Sequence, residues 1–469
     1  MADDGGSSSN LLVIFGITGD LARKMTFRAL YRLERRGQLD CPILGVASDD
    51  IAIDELIKRA REAIGDAGES IDDAVFDRLA SRLSYQRGDV TDGQLYASLA
   101  DSIGSDYRPL YYLEMPPSLF APIVENLAKV ELLERARVAV EKPFGHDLDS
   151  ATELNARLRA VLDEDQILRV DHFLGKQPVL ELEYLRFANL GLAQVWDRHS
   201  ISEIHITMAE NFGVEDRGKF YDAVGTLRDV VQNHLLQVLA LVAMEPPVGP
   251  NADDLNDKKA EVFRSMPALN SDRCVRGQYR GYTDVAGVAK NSQTETFIAV
   301  RMEIDNWRWA GVPIFLRAGK ALPERVTEVR LFLRKVPALA FLPHRRPAEP
   351  NQIVLRIDPD PGLRLQLSAQ VGDEWQAVHL DSAFAEDLGE PIQPYERLLH
   401  AGLVGDRQLF AREDSIEETW RIVQPLLDDP GEVHPYDPGS WGPEPAQSLL
   451  RGHRSWQEPW LPGKKTATK

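Results

Sequence analysis

Cysteine is almost missing from this chain: Cys41 and Cys274 are the two in 469 residues. Two thiols can build neither a disulfide framework nor a complete zinc site, and such sparse usage fits a reducing cytoplasm. Long apolar runs are missing too. The longest, HLLQVLALVAM at 234–244, is too short to span a bilayer and is interrupted by Gln237. The opening MADDGGSSSN lacks the positive and apolar regions of a signal peptide. There is no excess of basic residues. Lys and Arg number 54 against 73 Asp and Glu, a formal charge of −19, whereas nucleic-acid affinity comes largely from clustered cations. No G-x-x-x-x-G-K-[ST] occurs, so a P-loop kinase or NTPase has no support. Membrane, secreted and nucleic-acid-binding classes are therefore disfavoured.

What is present is globular. Hydrophobic residues make up 43% and charged residues 27%, enough apolar material for two or three domains at this length. In the first third, short apolar runs alternate with helical patterns. LLVIF at 11–15, PILGV at 42–46, PLYYL at 109–113, RVAVE at 137–141 and ILRV at 167–170 have the form of buried strands. Between the first two, Leu21, Met25, Ala29 and Leu33 form a helical stripe that Gly37 stops. This alternation predicts a doubly wound parallel sheet. Beyond residue 180 the strands follow one another with period two, as in ISEIHITM at 201–208, TFIAVRM at 296–302, TEVRLFL at 327–333, IVLRI at 353–357 and LRLQLS at 363–368. That pattern predicts a mainly antiparallel sheet packed on helices. The expected fold class is α/β plus α+β, with residues 11–178 and 179–462 as the two domains. Residues 1–10 and 463–469 are expected to be polar tails, and the proline-rich stretch 336–350 an extended surface connection.

The strand LLVIF runs directly into Gly16-Ile17-Thr18-Gly19-Asp20-Leu21-Ala22 and then a helix. In that context Gly16 permits a tight turn, Gly19 permits close backbone approach, and the helix start offers N–H groups to a pyrophosphate. An ordinary strand–turn–helix would use the same residues, and Thr18 replaces the second glycine of the usual fingerprint. At the end of the second strand stand Ser48, Asp49 and Asp50. A carboxylate there accepts bonds from the ribose hydroxyls of NAD and repels the 2′-phosphate of NADP. The alternative is that these acids cap the following helix.

Four further segments concentrate polar chemistry. RVDHFLGKQ at 169–177 places His172 and Lys176 four apart, on one face if the segment is helical. RDVVQNHLLQVLALV at 228–242 is an apolar helix bearing Asp229 and His234. EKPFG at 141–145 follows a strand, and GVPIFLRAGKALPER at 311–325 carries Lys320 and Arg325. Taken singly, a histidine on an apolar helix is a satisfied core residue, the two cations are solvated surface charges, and His205 has no assigned role.

Together these segments resemble the glucose-6-phosphate 1-dehydrogenase family. FGITGDLARK at 15–24, EKPFG, RVDHFLGKQ, RDVVQNHLLQ and GVPIFLRAGK match its motifs in order and spacing, and the resemblance runs from about residue 11 to about residue 460. It implies a Rossmann-like N-terminal domain and a larger C-terminal domain with a broad antiparallel sheet. It also implies oxidation of D-glucose 6-phosphate at C1 to 6-phosphoglucono-1,5-lactone, the first step of the oxidative pentose phosphate pathway. Hydride passes to NADP, with NAD as a second candidate. His234 is then the general base, and Asp171 the carboxylate that orients it. His172 and Lys176 hold the phosphate. Lys142, Glu210, Asp229, Lys320 and Arg325 hold the sugar, and Lys142 also faces the nicotinamide. Gly16 to Ala22 and Ser48 bind the dinucleotide. No metal is required, because the cofactor takes the electrons. The family context adds a cytoplasmic homodimer or homotetramer whose partner is a small sugar phosphate, with no nucleic acid or membrane.

The sequence departs from the family at three positions. Phe173 replaces a tyrosine whose hydroxyl reaches the phosphate, Gln177 replaces a glutamate, and Ser48 replaces the arginine of NADP-selective members. Two other functions compete: the same chemistry on a different sugar phosphate, and a catalytically silent nucleotide or sugar-phosphate sensor. A sensor needs no base, so the presence of both His234 and Asp171 speaks against it.

Overall fold

The structure is a computed structural model and describes residues 8–337, 350–372, 374–388 and 392–461. The chain divides into two compact units. One comprises Met1–Lys176, Pro247–Asn256 and Ile392–Glu417; the other comprises Gln177–Pro246, Asp257–Pro391 and Glu418–Lys469. Most of the expected tails and of the connection at 336–350 lies outside the described residues. Backbone pairing begins by Ser9, whose N–H donates to the Leu403 carbonyl at 2.7 Å.

The first unit is built on parallel strands: Leu11–Phe15 (β1), Ile43–Ala47 (β2), Leu83–Arg87 (β3), Pro109–Leu113 (β4), Arg137–Glu141 (β5) and Ile167–Val170 (β6). Their order is β6-β5-β4-β1-β2-β3, with a short antiparallel strand, Phe410–Ala411, beside β6. Every residue of β1 and β4 is buried, which accounts for their continuous apolar sequences. The order reverses between β4 and β2 on either side of β1. The carboxyl ends of the strands in such a sheet open onto a crevice.

β3 was not legible as a strand. It is LSYQR at the open edge, buried at Leu83 and exposed at Ser84 and Arg87. The helix after β1 also differs from expectation. It starts with a π-turn at Ala22–Thr26 before the α-helix Phe27–Arg35. The wider turn rotates the apolar stripe, so Met25 is exposed while Thr26, Phe27 and Leu30 are buried.

The second unit holds a sheet of nine strands among the described residues. These include Ile201–Ala209 (β7), Cys274–Tyr279 (β8), Phe297–Met302 (β9), Ile314–Gly319 (β10), Val326–Leu333 (β11), Gln352–Asp358 (β12), Gly362–Val371 (β13) and Glu374–Ala383 (β14). The order is β14-β13-β12-β11-β7-β10-β9-β8, closed by Val433–Tyr436, and the pairing is antiparallel except at β7–β10 and β8 with Val433–Tyr436. β7 alternates as expected, yet its polar face is buried as deeply as its apolar one. Glu203, His205 and Thr207 are each no more than 5% exposed. The chain from Arg454 to Trp460 covers the charged face. Arg454 pairs with Glu203 at 3.1 Å, and the Trp456 ring stands 5.0 Å from His205. Arg330 donates to the Glu458 carbonyl at 3.1 Å, and the Trp460 N–H donates to Glu328 at 3.1 Å. The Trp460 ring lies 4.0 Å from the Arg356 guanidinium and 4.6 Å from that of Arg364.

The apolar run of the sequence is the helix Leu236–Ala243, buried at every residue. The last carbonyls of a helix have no internal partner, and inside a protein they need donors from elsewhere. Arg186 donates to Leu241 and Met244 at 2.6 and 2.5 Å, the Trp196 indole to Val242 at 2.9 Å, and the Trp309 indole to Ala243 at 2.8 Å. Burial pulls the Arg186 guanidinium down to about 9, and the negative end of the helix favours a cation there.

Two glycines allow a direct test of the first unit. Gly16 and Gly37 both have positive φ, +86° and +67°, but a Cβ on Gly37 meets nothing within 4 Å, whereas one on Gly16 would lie 2.3 Å from the Glu114 carbonyl oxygen. Gly37→Ala is expected to cost about 1 kcal/mol, the backbone strain alone, and Gly16→Ala at least about 2 kcal/mol. Urea-unfolding midpoints of the two variants measure the difference.

Candidate active site

In the first unit, the candidate residues collect where the parallel strands end. Gly16 leaves β1 with its N–H on the Val46 carbonyl at 2.8 Å, and Gly19 donates back to Gly16 at 2.8 Å, closing the turn. Ile17 and Ala22 are buried, Asp20 is exposed, and Leu21 and Thr18 are partly so. Asp20 carries ion pairs to Arg23 and Lys24 at 3.4 and 3.2 Å, which hold its carboxyl below the usual range, the Lys24 hydrogen bond most strongly. Ser48 is exposed just past β2. A turn of this kind, with backbone close packed against β4 through Gly16, has the shape a dinucleotide phosphate needs.

Glu141 and Val170 are paired across β5 and β6, so Lys142 and Asp171 leave neighbouring strands side by side. Asp171 is buried, and its carboxylate accepts the Phe173 N–H at 3.0 Å. His172 to Lys176 do not form an α-helix. Leu174, Gly175 and Lys176 donate to Asp171, His172 and Phe173, a succession of tight turns. Phe173 is 2% exposed, and its ring lies beneath the Lys176 ammonium at 3.9 Å. In place of a tyrosine hydroxyl, this position gives Lys176 an aromatic support. The His172 ring lies nearly parallel to Tyr395, 6.2 Å away.

Sequence inspection missed the buried acids behind these residues. Glu114 follows β4 and accepts the Thr26 hydroxyl; Glu141 ends β5 and accepts the Tyr112 hydroxyl at 2.6 Å. Burial raises the Glu114 carboxyl to about 8 and Glu141 to about 7, with Tyr112 and Lys142 partly opposing the rise at Glu141. Their one sequence signal is an acid at the carboxyl end of an apolar run, in YYLE and VAVE.

In the second unit, Asp229 and His234 lie on a π-helix, Leu227–Leu235, which runs into the buried helix Leu236–Ala243. Residues five apart are one turn apart there, which places these two on successive turns. The Asn233 side chain supports the wide turn, accepting from His234 N–H at 2.6 Å and donating to the Arg228 carbonyl at 3.0 Å. The chain kinks at Gly225, and the Leu227 N–H donates to the Glu295 carboxylate at 2.9 Å; Arg276 holds that carboxylate at 2.9 Å. His234 is 1% exposed.

Glu210, at the end of β7, and Lys320, after β10, are joined by an ion pair. The Lys320 ammonium also faces Tyr221 and Phe212, at 5.0 and 5.6 Å from the ring centres. Tyr221 is buried, which pushes its hydroxyl far up, and Asp229 adds to that shift. The structure thus gathers Glu210, Lys320 and Asp229 around Tyr221, a residue the sequence did not single out. Arg325 follows, more than half exposed, 3.6 Å from Asp358. Gln177, in this unit, opens the helix Gln177–Phe187 and donates to Glu181.

A doubly wound dinucleotide-type sheet with cations and carboxylates at its strand ends, and a second unit presenting a buried histidine and an ion-paired Glu210 and Lys320, define a nicotinamide-dependent dehydrogenase. Comparison with known proteins makes this specific. Residues 13–181 match the family described as "Glucose-6-phosphate dehydrogenase, NAD binding domain", and residues 183–457 the corresponding C-terminal domain. The chain is 81% identical over 462 residues to "Glucose-6-phosphate 1-dehydrogenase 1" of Mycobacterium tuberculosis, covering 98% of this chain and 99% of that one. A crystal structure of glucose-6-phosphate 1-dehydrogenase from Mycobacterium avium superposes with a TM-score of 0.93 at 77% identity, over 97% of this chain and 100% of that one. A glucose-6-phosphate dehydrogenase in complex with its substrate superposes at 0.89 with 34% identity, over 96% and 99%. The chain belongs to the glucose-6-phosphate dehydrogenase family.

The buried acid gives a pH prediction. The Glu114 carboxyl has its usual value, 4.5, in the unfolded chain and about 8 in the folded one. Between those values the unfolded chain has released a proton that the folded chain keeps, so stability falls as pH rises through this window. Glu114→Gln removes the penalty. It is expected to stabilise the protein by about 2–4 kcal/mol at pH 8 and far less at pH 5, measured by urea unfolding at both.

Proposed function

We infer that the chain oxidises glucose 6-phosphate at C1, passing hydride to a nicotinamide cofactor and yielding the 1,5-lactone, the first step of the oxidative pentose phosphate pathway. The near full-length identity to the mycobacterial dehydrogenase carries this conclusion. When bound, the cofactor supplies the hydride acceptor. His234 takes the proton of the C1 hydroxyl as the C1–H hydride leaves and the C1–O double bond forms, with Asp171 as its carboxylate partner. A histidine held on a π-helix braced by Asn233 and Glu295 keeps one orientation, as a base requires. Lys176 and His172 bind the phosphate. Glu210, Asp229, Lys320, Arg325 and Lys142 hold the sugar hydroxyls.

The residues from Gly16 to Ala22 and Ser48 take the dinucleotide, and the turn at Gly16 and Gly19 fits its phosphates. The cofactor is NADP with NAD as an effective competitor, because Ser48 offers no cation and Asp49 and Asp50 follow it. The protein works in the cytoplasm as a homodimer or homotetramer. Its two unpaired cysteines support the location, and among the described residues no helix is long and apolar enough to cross a membrane. Leu367, Val378 and Leu380, exposed together on paired strands β13 and β14, support self-association.

The decisive assay follows reduced-nicotinamide absorbance with glucose 6-phosphate and each cofactor; no reduction with either would overturn the assignment. His234→Asn is expected to lower kcat by roughly 10²–10⁴-fold while glucose 6-phosphate still binds, as seen by calorimetry on the folded variant. Lys176→Ala should raise KM for glucose 6-phosphate much more than for free glucose, because its partner is the phosphate, remote from C1. Steady-state kinetics on the two sugars separate that outcome from an equal loss on both.

A further inference from the structure

At the open edge of the parallel sheet, β2 and β3 lie side by side with Ala47 opposite Arg87. The residues after each strand therefore share one rim, and charged groups collect on it. Asp49 is tied down: its carboxylate accepts the Thr18 hydroxyl at 2.6 Å and its carbonyl accepts the Tyr85 hydroxyl at 2.7 Å. Arg87 and Asp50 form an ion pair at 2.8 Å, with side chains 59% and 81% exposed. Arg59, on the helix Ile53–Asp66, also acts on Tyr85 but is bonded to Glu55 at 3.0 Å.

The adenosine ribose of a dinucleotide sits at the end of the second strand in this architecture. Here the immediate position is Ser48, and the nearest residues carry negative charge. An exposed guanidinium–carboxylate pair is weak and changes partner readily. A 2′-phosphate offers Arg87 more charge and a bidentate geometry. We propose that Arg87 is the specificity residue for NADP: it leaves Asp50 to grip the 2′-phosphate from β3, while the fixed Asp49 serves the ribose hydroxyls of NAD. Asp50 then acts as the competitor that holds Arg87 when no 2′-phosphate is present, and the chain uses both cofactors because neither partner is exclusive. Arg23 and Lys24 are the rival cations, and both are paired with Asp20. The inference rests on the nicotinamide-dehydrogenase function proposed above.

The test compares the ratio of kcat/KM for NADP to that for NAD in the unmodified enzyme and in Arg87→Gln, Arg87→Lys, Asp50→Asn and Arg23→Gln. The expected result is a fall of tenfold or more in Arg87→Gln, a smaller fall in Arg87→Lys, and a severalfold rise in Asp50→Asn that vanishes when combined with Arg87→Gln. A ratio within twofold of the unmodified enzyme in Arg87→Gln, or a tenfold fall in Arg23→Gln instead, would overturn the assignment. Calorimetry with adenosine 2′,5′-bisphosphate and adenosine 5′-monophosphate reads the same contact without turnover. Unmodified protein should prefer the bisphosphate and Arg87→Gln should not; equal preference in both proteins overturns the proposal. Loss of dehydrogenase activity on glucose 6-phosphate with the bisphosphate preference intact would sink the function and leave Arg87 in place.

Discussion

The second unit depends on hydrogen bonds at the two ends of one buried helical run. Residues 230–243 are buried without a break, so the end groups of this run must find partners inside the protein. At the start, Glu295 meets the Leu227 N–H and is itself held by Arg276. At the finish, Arg186, Trp196 and Trp309 take the carbonyls of four consecutive residues. With both ends fixed, the π-turn between them has little freedom, and the orientations of Asp229 and His234 are set by packing. A buried donor or acceptor without a partner costs about 1–3 kcal/mol, which is why so many long side chains are committed to a single helix.

The first unit solves a different problem. Parallel strands point their carboxyl ends the same way, so the residues just past β1, β4, β5 and β6 fall on one rim whatever their distance in sequence. Two acids at these strand ends, Glu114 just past β4 and Glu141 closing β5, are sunk beneath the rim, with Thr26 and Tyr112 as hydroxyl partners. Near neutral pH they sit close to their own titration points, and Glu141 lies next to Lys142 and one strand from Asp171. Such a pair makes the local charge behind the rim sensitive to pH without exposing either carboxyl to water.

Much of this was legible in the sequence because it rests on local rules. PLYYL, RVAVE and ILRV are strands at the residues their apolar runs marked, and the parallel and antiparallel halves follow from spacing. The resemblance, carried by long motifs, identified the family that the full-length comparisons bear out. Features set by distant contacts stayed hidden. LSYQR looks polar because it lies at an edge. Met25 seemed apolar-facing because a π-turn is invisible to a 3.6-residue period. RVDHFLGKQ suggested one helical face for His172 and Lys176, but it follows a strand as consecutive tight turns. Tyr221 and Glu114 gave little signal, since their importance comes from Lys320 and Thr26, about 90–100 residues away in each case.

The cover over the charged face of β7 has a bearing on how the protein is made. Glu203, His205, Arg330 and Arg356 lie on strands synthesised well before residues 454–460, which supply their partners. During translation these side chains must wait, solvated or loosely paired, until residues 454–460 leave the ribosome. The antiparallel sheet can therefore gain its apolar side early, but its charged side closes only once residues 454–460 have been made, and a ribosome stalled before they emerge would leave a sheet with one unfinished face.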